Sequence, residues 1–174
     1  TIERSGTSIL NNADDANLRR FRMAQSCTAE YSNYFGATSS AQVALVLAAF
    51  NTTYTRCNGI FEMDFNCTMQ LIANTTNVIY YNAATDPYSD GATGSGGAWN
   101  NELGTTLQSV IGNANYDIGH LFGASGGGGN AGCIGCVCSA DNSKGRGFTS
   151  PGNAIPEGDS FDIDYVAHEI GHQL

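Results

Sequence analysis

The sequence is short of basic charge. It carries one lysine, Lys144, and six arginines against 16 acidic residues, for a formal net charge of −9. Nucleic acid and anionic membranes are bound through basic surface, so this balance argues for no nucleic acid and no membrane as partner. Long apolar runs are missing too. None approaches the ~20 residues needed to span a bilayer, and the greasiest stretch, Val43 to Phe50, is only helix-length. The run Gly126 to Gly129 has no following lysine or helix start, which sets aside a phosphate loop and leaves a flexible bend. No repeat or linker divides the chain, so residues 1–174 are read as one domain, long enough to bury a substantial core. No signal peptide opens it, and Thr1-Ile2-Glu3-Arg4 reads as a mature or trimmed start.

Acidic groups are plentiful, and the first account of them is solubility. A second is calcium, which takes clustered carboxylate and carbonyl oxygens. Asp86, Asp90, Asp117, Glu157, Asp159 and Asp162 are loose candidates, and none lies in an EF-hand loop. Six cysteines are present: Cys27, Cys57, Cys67, Cys133, Cys136 and Cys138. An even count with so little lysine suits a secreted, oxidised protein. Connectivity stays open; Cys133, Cys136 and Cys138 cannot all pair with one another, so at least one reaches elsewhere or stays free. Cys133-Ile-Gly-Cys136 has C-x-x-C spacing, but the second pair that a zinc site would want is absent. Sequons at Asn51, Asn66 and Asn74 matter only in a host that glycosylates.

Chemistry concentrates in the last eleven residues, Asp164 to Leu174. His168, Glu169 and His172 form H-E-x-x-H, a zinc-site pattern. Positions four apart on a helix lie one turn apart on one face, so two imidazoles at this spacing can hold one ion. Glu169, beside the first, can reach a water on that ion. A helical wheel puts Ile163, Val166, Ala167, Ile170 and Leu174 on one apolar face. His168 and His172 fall opposite, with Glu169 at the margin. Asp159 or Ser160 is the expected N-cap, and Asp162 and Asp164 suit the first turn.

Along the chain, residues 1–18 read as a polar lead-in. Arg20 to Cys27 alternates as a first strand. Ser39 or Ser40 then caps a helix to about Arg56, with Val43, Val46, Leu47, Phe50 and Tyr54 as its stripe and Gly59 as its stop. From Phe61 to Leu71 apolar residues hold every odd position, which predicts a strand long enough for a bend or bulge in its middle. Val78 to Tyr81 suggests a further short strand. A second helix follows, with Trp99, Leu103, Leu107, Val110 and Ile111 on one side, ending at Gly112. Tyr116 to Phe122, Ala131 to Ser139 and Gly145 to Ser150 read as strands, and Pro151 to Gly158 as the loop into the histidine helix. Helices interleaved with strands indicate an α/β layer with a largely parallel sheet.

Three segments carry a resemblance: Tyr116-Asp-Ile-Gly-His-Leu-Phe-Gly123, Lys144-Gly-Arg-Gly147, and Val166-Ala-His-Glu-Ile-Gly-His-Gln-Leu174. The chain resembles the N-terminal subdomain of a metzincin zinc metallopeptidase, closest to the bacterial reprolysin-like branch. The resemblance implies a twisted, mostly parallel sheet of about five strands with two backing helices, one antiparallel edge strand and a C-terminal active-site helix. By position, Ala131 to Ser139 would be that edge strand. The family signature continues H-E-x-x-H-x-x-G-x-x-H to a Met-containing turn. This chain stops after Leu174, before the signature's glycine, so a fragment lacking the C-terminal subdomain is expected, with weak metal binding and little activity. The remaining histidine, His120, shares the parity of Ile118 and Phe122 and is read as structural.

The resemblance implies Zn2+ as cofactor, with Ca2+ a further candidate. His168 and His172 would be metal ligands and Glu169 the general base. Protein or peptide substrates would bind in extended form along the edge strand, with Gly132, Cys133, Ile134, Gly135, Cys136, Val137 and Cys138 as candidate contacts. Two other readings compete: a gluzincin-type peptidase whose third ligand is a downstream glutamate, and a non-catalytic module in which the histidines hold a structural metal or none.

Overall fold

The computed structural model describes residues 17–174, so nearly all of the expected polar lead-in lies outside the described residues. Strand β1, Arg19–Cys27, is an interior strand of a five-stranded sheet. It starts with the expected alternation, Phe21 half-buried between exposed Arg20 and Arg22, and from Met23 onward is buried on both faces. Parallel strands covered by helices on both sides lose their polar face in this way. The order is β2-β1-β3-β5-β4, with β2 at Cys67–Leu71, β3 at Ile118–Phe122, β4 at Gly128–Ala131 and β5 at Gly147–Ser150. All neighbours are parallel except β4, which runs antiparallel to β5 at the edge.

One core lies on each side of the sheet. On the first, a short helix α1 (Ala29–Tyr34) and the long helix α2 (Val43–Asp64) cover Met23, Met69, Ile118 and Phe122, together with Phe161, Val166 and Ile170 of the terminal helix. On the second, helix α3 (Trp99–Val110) lays Trp99, Leu103 and Leu107 against Ala24, Leu121 and Phe148. The Trp99 and Phe148 rings meet edge-on at 5.2 Å. The chain leaves α3 as the sequence indicates: Gly112 takes φ +84° and donates its N–H to Leu107 O at 2.9 Å, a left-handed stop that suits glycine.

Two expected strands are revised. Helix α2 does not stop at Gly59 but runs on to Asp64, so the strand expected over Phe61 to Leu71 survives only as Cys67–Leu71. Two periodicities overlap there. Phe50, Tyr54, Cys57 and Phe61 are all buried at helical spacing, and this outweighs the odd-even pattern: Met63 is 84% exposed and Phe65 49% exposed. The turn into β2 comes at Asn66, with φ +50°. Val78 to Tyr81 contributes a single bridge, Cys27 to Ile79, after a 3-10 turn at Thr75–Val78.

The second revision concerns the edge. The edge strand is Gly128–Ala131, and of the stretch expected to form it, Ala131 to Ser139, only Ala131 belongs to it. Its Gly-Gly-Asn-Ala sequence has no alternation to announce it, and it is recognisable only through its pairing with β5.

Gly59 lies within α2 on its exposed side, with open space where a Cβ would be. Gly59→Ala is therefore expected to stabilise the protein by about 0.5–1 kcal/mol. Urea unfolding of the two proteins measures this; a loss of stability would mean that the helix ends at Gly59 after all.

Candidate metal centre

The chain enters its last helix through Gly158, at φ +85°. Gly158, and not Asp159 or Ser160, is the N-cap, and Asp159 falls in the first turn. One helical run follows: an α turn at Asp159–Phe161, a wide π segment at Asp162–Ala167, and the α segment His168–Gln173, here α4. Its start is tied to α2. Arg56 pairs with Asp159 and, at 2.9 Å, with Asp162, while Thr53 Oγ1 donates to Asp162 Oδ1 at 2.8 Å. Val166, Ala167 and Ile170 are buried against the sheet, and Ile163 and Leu174 partly so.

His168 and His172 face away from that core and are exposed. Their Nε2 atoms lie 3.0 Å apart, with the rings nearly perpendicular at 89°. Two nitrogens on one tetrahedral zinc stand about 3.3 Å apart, so this pair fits the ion with a small outward shift. An open cleft of about 510 Å3 borders both rings and is lined on its far side by Ile60, Phe61 and Phe65. Gly171 lines the same cleft, and nothing among the described residues lies within 4 Å of where its Cβ would be. Its absent side chain keeps the cleft open and does not serve a close packing contact.

Glu169 turns the other way, against the free edge of the sheet, and is only 8% exposed. Burial pushes its carboxyl above the ordinary glutamate range, opposed by the imidazoles of His168 and His172 and by a hydrogen bond from the Ala131 backbone. The fit is close. A Cβ on Gly129 would lie 2.6 Å from Glu169 Cγ and Oε1, so the strand must present glycine there. Sequence reasoning placed Gly129 in a flexible bend and missed this contact, because no local pattern reports a neighbour forty residues away.

Gln173, one turn beyond Glu169 on the same face, is also buried. Its Oε1 lies 2.7 Å from His120 Nδ1, and its Nε2 donates to Gly119 O at 2.9 Å. His120 Nε2 in turn lies 2.9 Å from Thr149 Oγ1. His120 is fully buried and engaged through both nitrogens, so it holds β3, β5 and α4 together and is no third partner for the His168 pair. Gly147 leaves the slot that the Gln173 amide fills; a Cβ there would lie 2.4 Å from its Oε1.

Residues Gly132 to Cys138 form a loop at the end of α4. Cys133 and Cys136 are disulfide-bonded, while Cys138 is a free exposed thiol and Cys27, Cys57 and Cys67 are free and buried. Gly132 extends the β4 pairing by donating to Arg146 O. Gly135 N–H donates to His172 O at 3.0 Å and Val137 N–H to Gln173 O at 3.1 Å. Helix-end carbonyls need such donors; this segment caps the helix and offers no extended edge. Ile134 is 69% exposed at its tip.

Of the acidic residues weighed for calcium, Asp159 and Asp162 share Arg56 and the other four have separate partners. Asp86 accepts from the backbones of Ala29 and Tyr88, Asp90 from Ala92 and Thr93, Asp117 pairs with Arg22, and Glu157 accepts from Tyr34. Among the described residues, no group of three or more His, Cys, Asp or Glu is placed to hold a metal.

A sheet with one antiparallel edge strand, lying over a helix that turns two imidazoles outward and a carboxylate toward that edge, is the architecture of a metallopeptidase upper subdomain. A family model described as metallo-peptidase family M12B, reprolysin-like, matches residues 18–174, and the chain belongs to that family. No curated protein matches it.

Burial lowers the His120 pKa from 6.5 to about 4. The unfolded chain therefore binds this proton first, and stability falls as pH drops from about 6.5 to about 4, by roughly 3 kcal/mol. Above pH 6.5 the contribution is complete. Denaturation measured at pH 7 and pH 4 for the protein and for His120→Asn should show the variant losing less over this interval by about that amount; equal losses would refute the assignment.

Proposed function

We propose that this metallopeptidase domain is a zinc endopeptidase in which His168 and His172 hold the ion and Glu169 is the general base. The observation that carries the reading is the paired Nε2 atoms, 3.0 Å apart beside an open cleft, with a carboxylate one residue along on the adjoining face. Zinc, when bound, supplies Lewis acidity, which makes water a nucleophile at neutral pH and polarises the scissile carbonyl.

The chain's own groups have defined tasks in this scheme. Glu169 takes a proton from the attacking water on its carboxylate and passes it to the leaving amine nitrogen. The Ala131 backbone hydrogen bond orients that carboxylate, and partial burial raises its basicity toward what a general base needs.

The substrate would lie extended along the outer edge of β4. In an antiparallel pair, residues alternate between bonding inward and outward. Gly132 N–H bonds inward to Arg146 O, so Gly128 and Asn130 share that direction and Gly129 and Ala131 turn outward; with the Ala131 N–H engaged by Glu169, the Gly129 N–H and C=O and the Ala131 C=O are the groups a peptide would meet. Pairing there would bring a peptide alongside Glu169. This moves the substrate strand from residues 132–138 to Gly128–Ala131. The oxidised Cys133–Cys136 pair supports a secreted protein.

Glu169→Ala is expected to lower cleavage of a protein substrate by on the order of 10²–10⁴-fold while zinc content, read by metal analysis, is unchanged. Undiminished cleavage by that variant would count against the role. Loss of zinc together with activity would point to the non-catalytic alternative, in which the residue only supports a structural metal.

A further inference from the structure

The helix that carries the metal pair is not regular. Immediately before His168 it passes through the π segment Asp162–Ala167. A π turn changes the rotational phase of whatever follows it, so the packing of Val166 and Phe161 does not by itself determine where His168 and His172 point. Ile170, between the two histidines, is fully buried in the core and supplies attraction there, but apolar burial is non-directional and tolerates small rotations; the buried amide of Gln173 supplies the directional contact.

The hydrogen bonds assign every proton in that anchor. Gln173 Nε2 faces Gly119 O, which can only accept, so Gln173 Oε1 is the atom turned to His120. An amide oxygen only accepts, so His120 Nδ1 carries the proton and donates to it. His120 Nε2 is then the acceptor, and Thr149 Oγ1 donates to it. Each polar atom is satisfied in one arrangement of the ring and one of the amide. Glu169 and Gln173 are four apart and share a helix face. Holding Gln173 therefore sets the rotation of Glu169 toward β4 and of the two imidazoles toward the cleft.

On this basis, and resting on the zinc site proposed above, we propose that His120 is a positioning residue of the metal centre: by donating from Nδ1 to Gln173 it holds the last helical turns in the rotation that turns the His168 and His172 pair toward the cleft and Glu169 toward β4.

The two amide substitutions of His120 separate this from bulk packing. An asparagine amide nitrogen overlays Nδ1 and can still donate to Gln173, whereas a glutamine amide reaches toward the Nε2 position and Thr149. Cobalt(II) and zinc are titrated into the full chain, with affinity and the cobalt absorption spectrum as readouts and the melting temperature measured alongside. His120→Gln is expected to weaken metal binding by on the order of tenfold or more and to alter the cobalt spectrum. His120→Asn should stay within about twofold of the parent protein. Gln173→Met breaks the same bond from the helix side and should match His120→Gln, which covers the case where a substitution inside the sheet prevents folding. Leu107→Ala, a truncation in the opposite core, should lower the melting temperature and leave affinity unchanged.

Parent-like binding by both His120→Gln and Gln173→Met overturns the proposal. So does a loss in His120→Asn equal to that in His120→Gln, or a loss in Leu107→Ala that scales with its melting temperature. A parent protein that binds neither metal overturns the zinc site as well, whereas binding insensitive to these substitutions overturns the positioning role alone.

Discussion

Whatever this domain does with a metal depends on how its last helix is seated against the edge of the sheet. The helix is amphipathic in three directions. Ile170 and Val166 sink into the core, His168 and His172 face a cleft, and Glu169 and Gln173 press on the backbone of β4 and β5. Burial of the first group is non-directional and tolerates small rotations. The third group does not: a carboxylate against Gly129 and an amide against Gly147 leave no space for a side chain and little freedom for the helix. The hydrophobic face supplies attraction and the polar face supplies the angle.

The same division explains how the cation-poor surface and the helix start fit together. Arg56 is one of seven basic residues, and it is used beside Asp159 and Asp162 at the opening of the helix. Asp162 is almost fully buried, yet it accepts from Thr53 and pairs with that guanidinium. Buried carboxylates need such partners. The two ends of the helix are thus held by different chemistry: an ion pair to α2 at its start, and neutral hydrogen bonds to β3 together with the 133–138 loop at its finish.

Much of this was readable beforehand, for reasons tied to particular residues. H-E-x-x-H is a local pattern, and a helix of ordinary pitch suffices to bring its nitrogens together. The β1 strand announced itself through the alternation that begins at Arg20 and Phe21, β3 was read over Tyr116 to Phe122, and His120 was placed correctly because strand parity is rigid. The reading failed where two periods coincided, at Phe61 to Phe65, since both helix and strand can use those apolar positions. It failed again at β4, whose glycines have no side chains to form a pattern. Glu169 with Gly129, and Gln173 with His120, were out of reach for another reason: their partners lie 40 and 53 positions away, and chain folding alone brings them together.

Those glycines have a consequence for motion. A four-residue strand beginning Gly-Gly has little intrinsic stability, since glycine gives up the most backbone freedom on ordering, and β4 has only one strand neighbour. What keeps it in place on its open side is the acidic side chain leaning on it. Rim and helix therefore support one another through Glu169, the kind of mutual contact from which cooperative opening units are built. Fraying of one releases the other, and the surface that would receive a peptide and the group that would act on it open and close together.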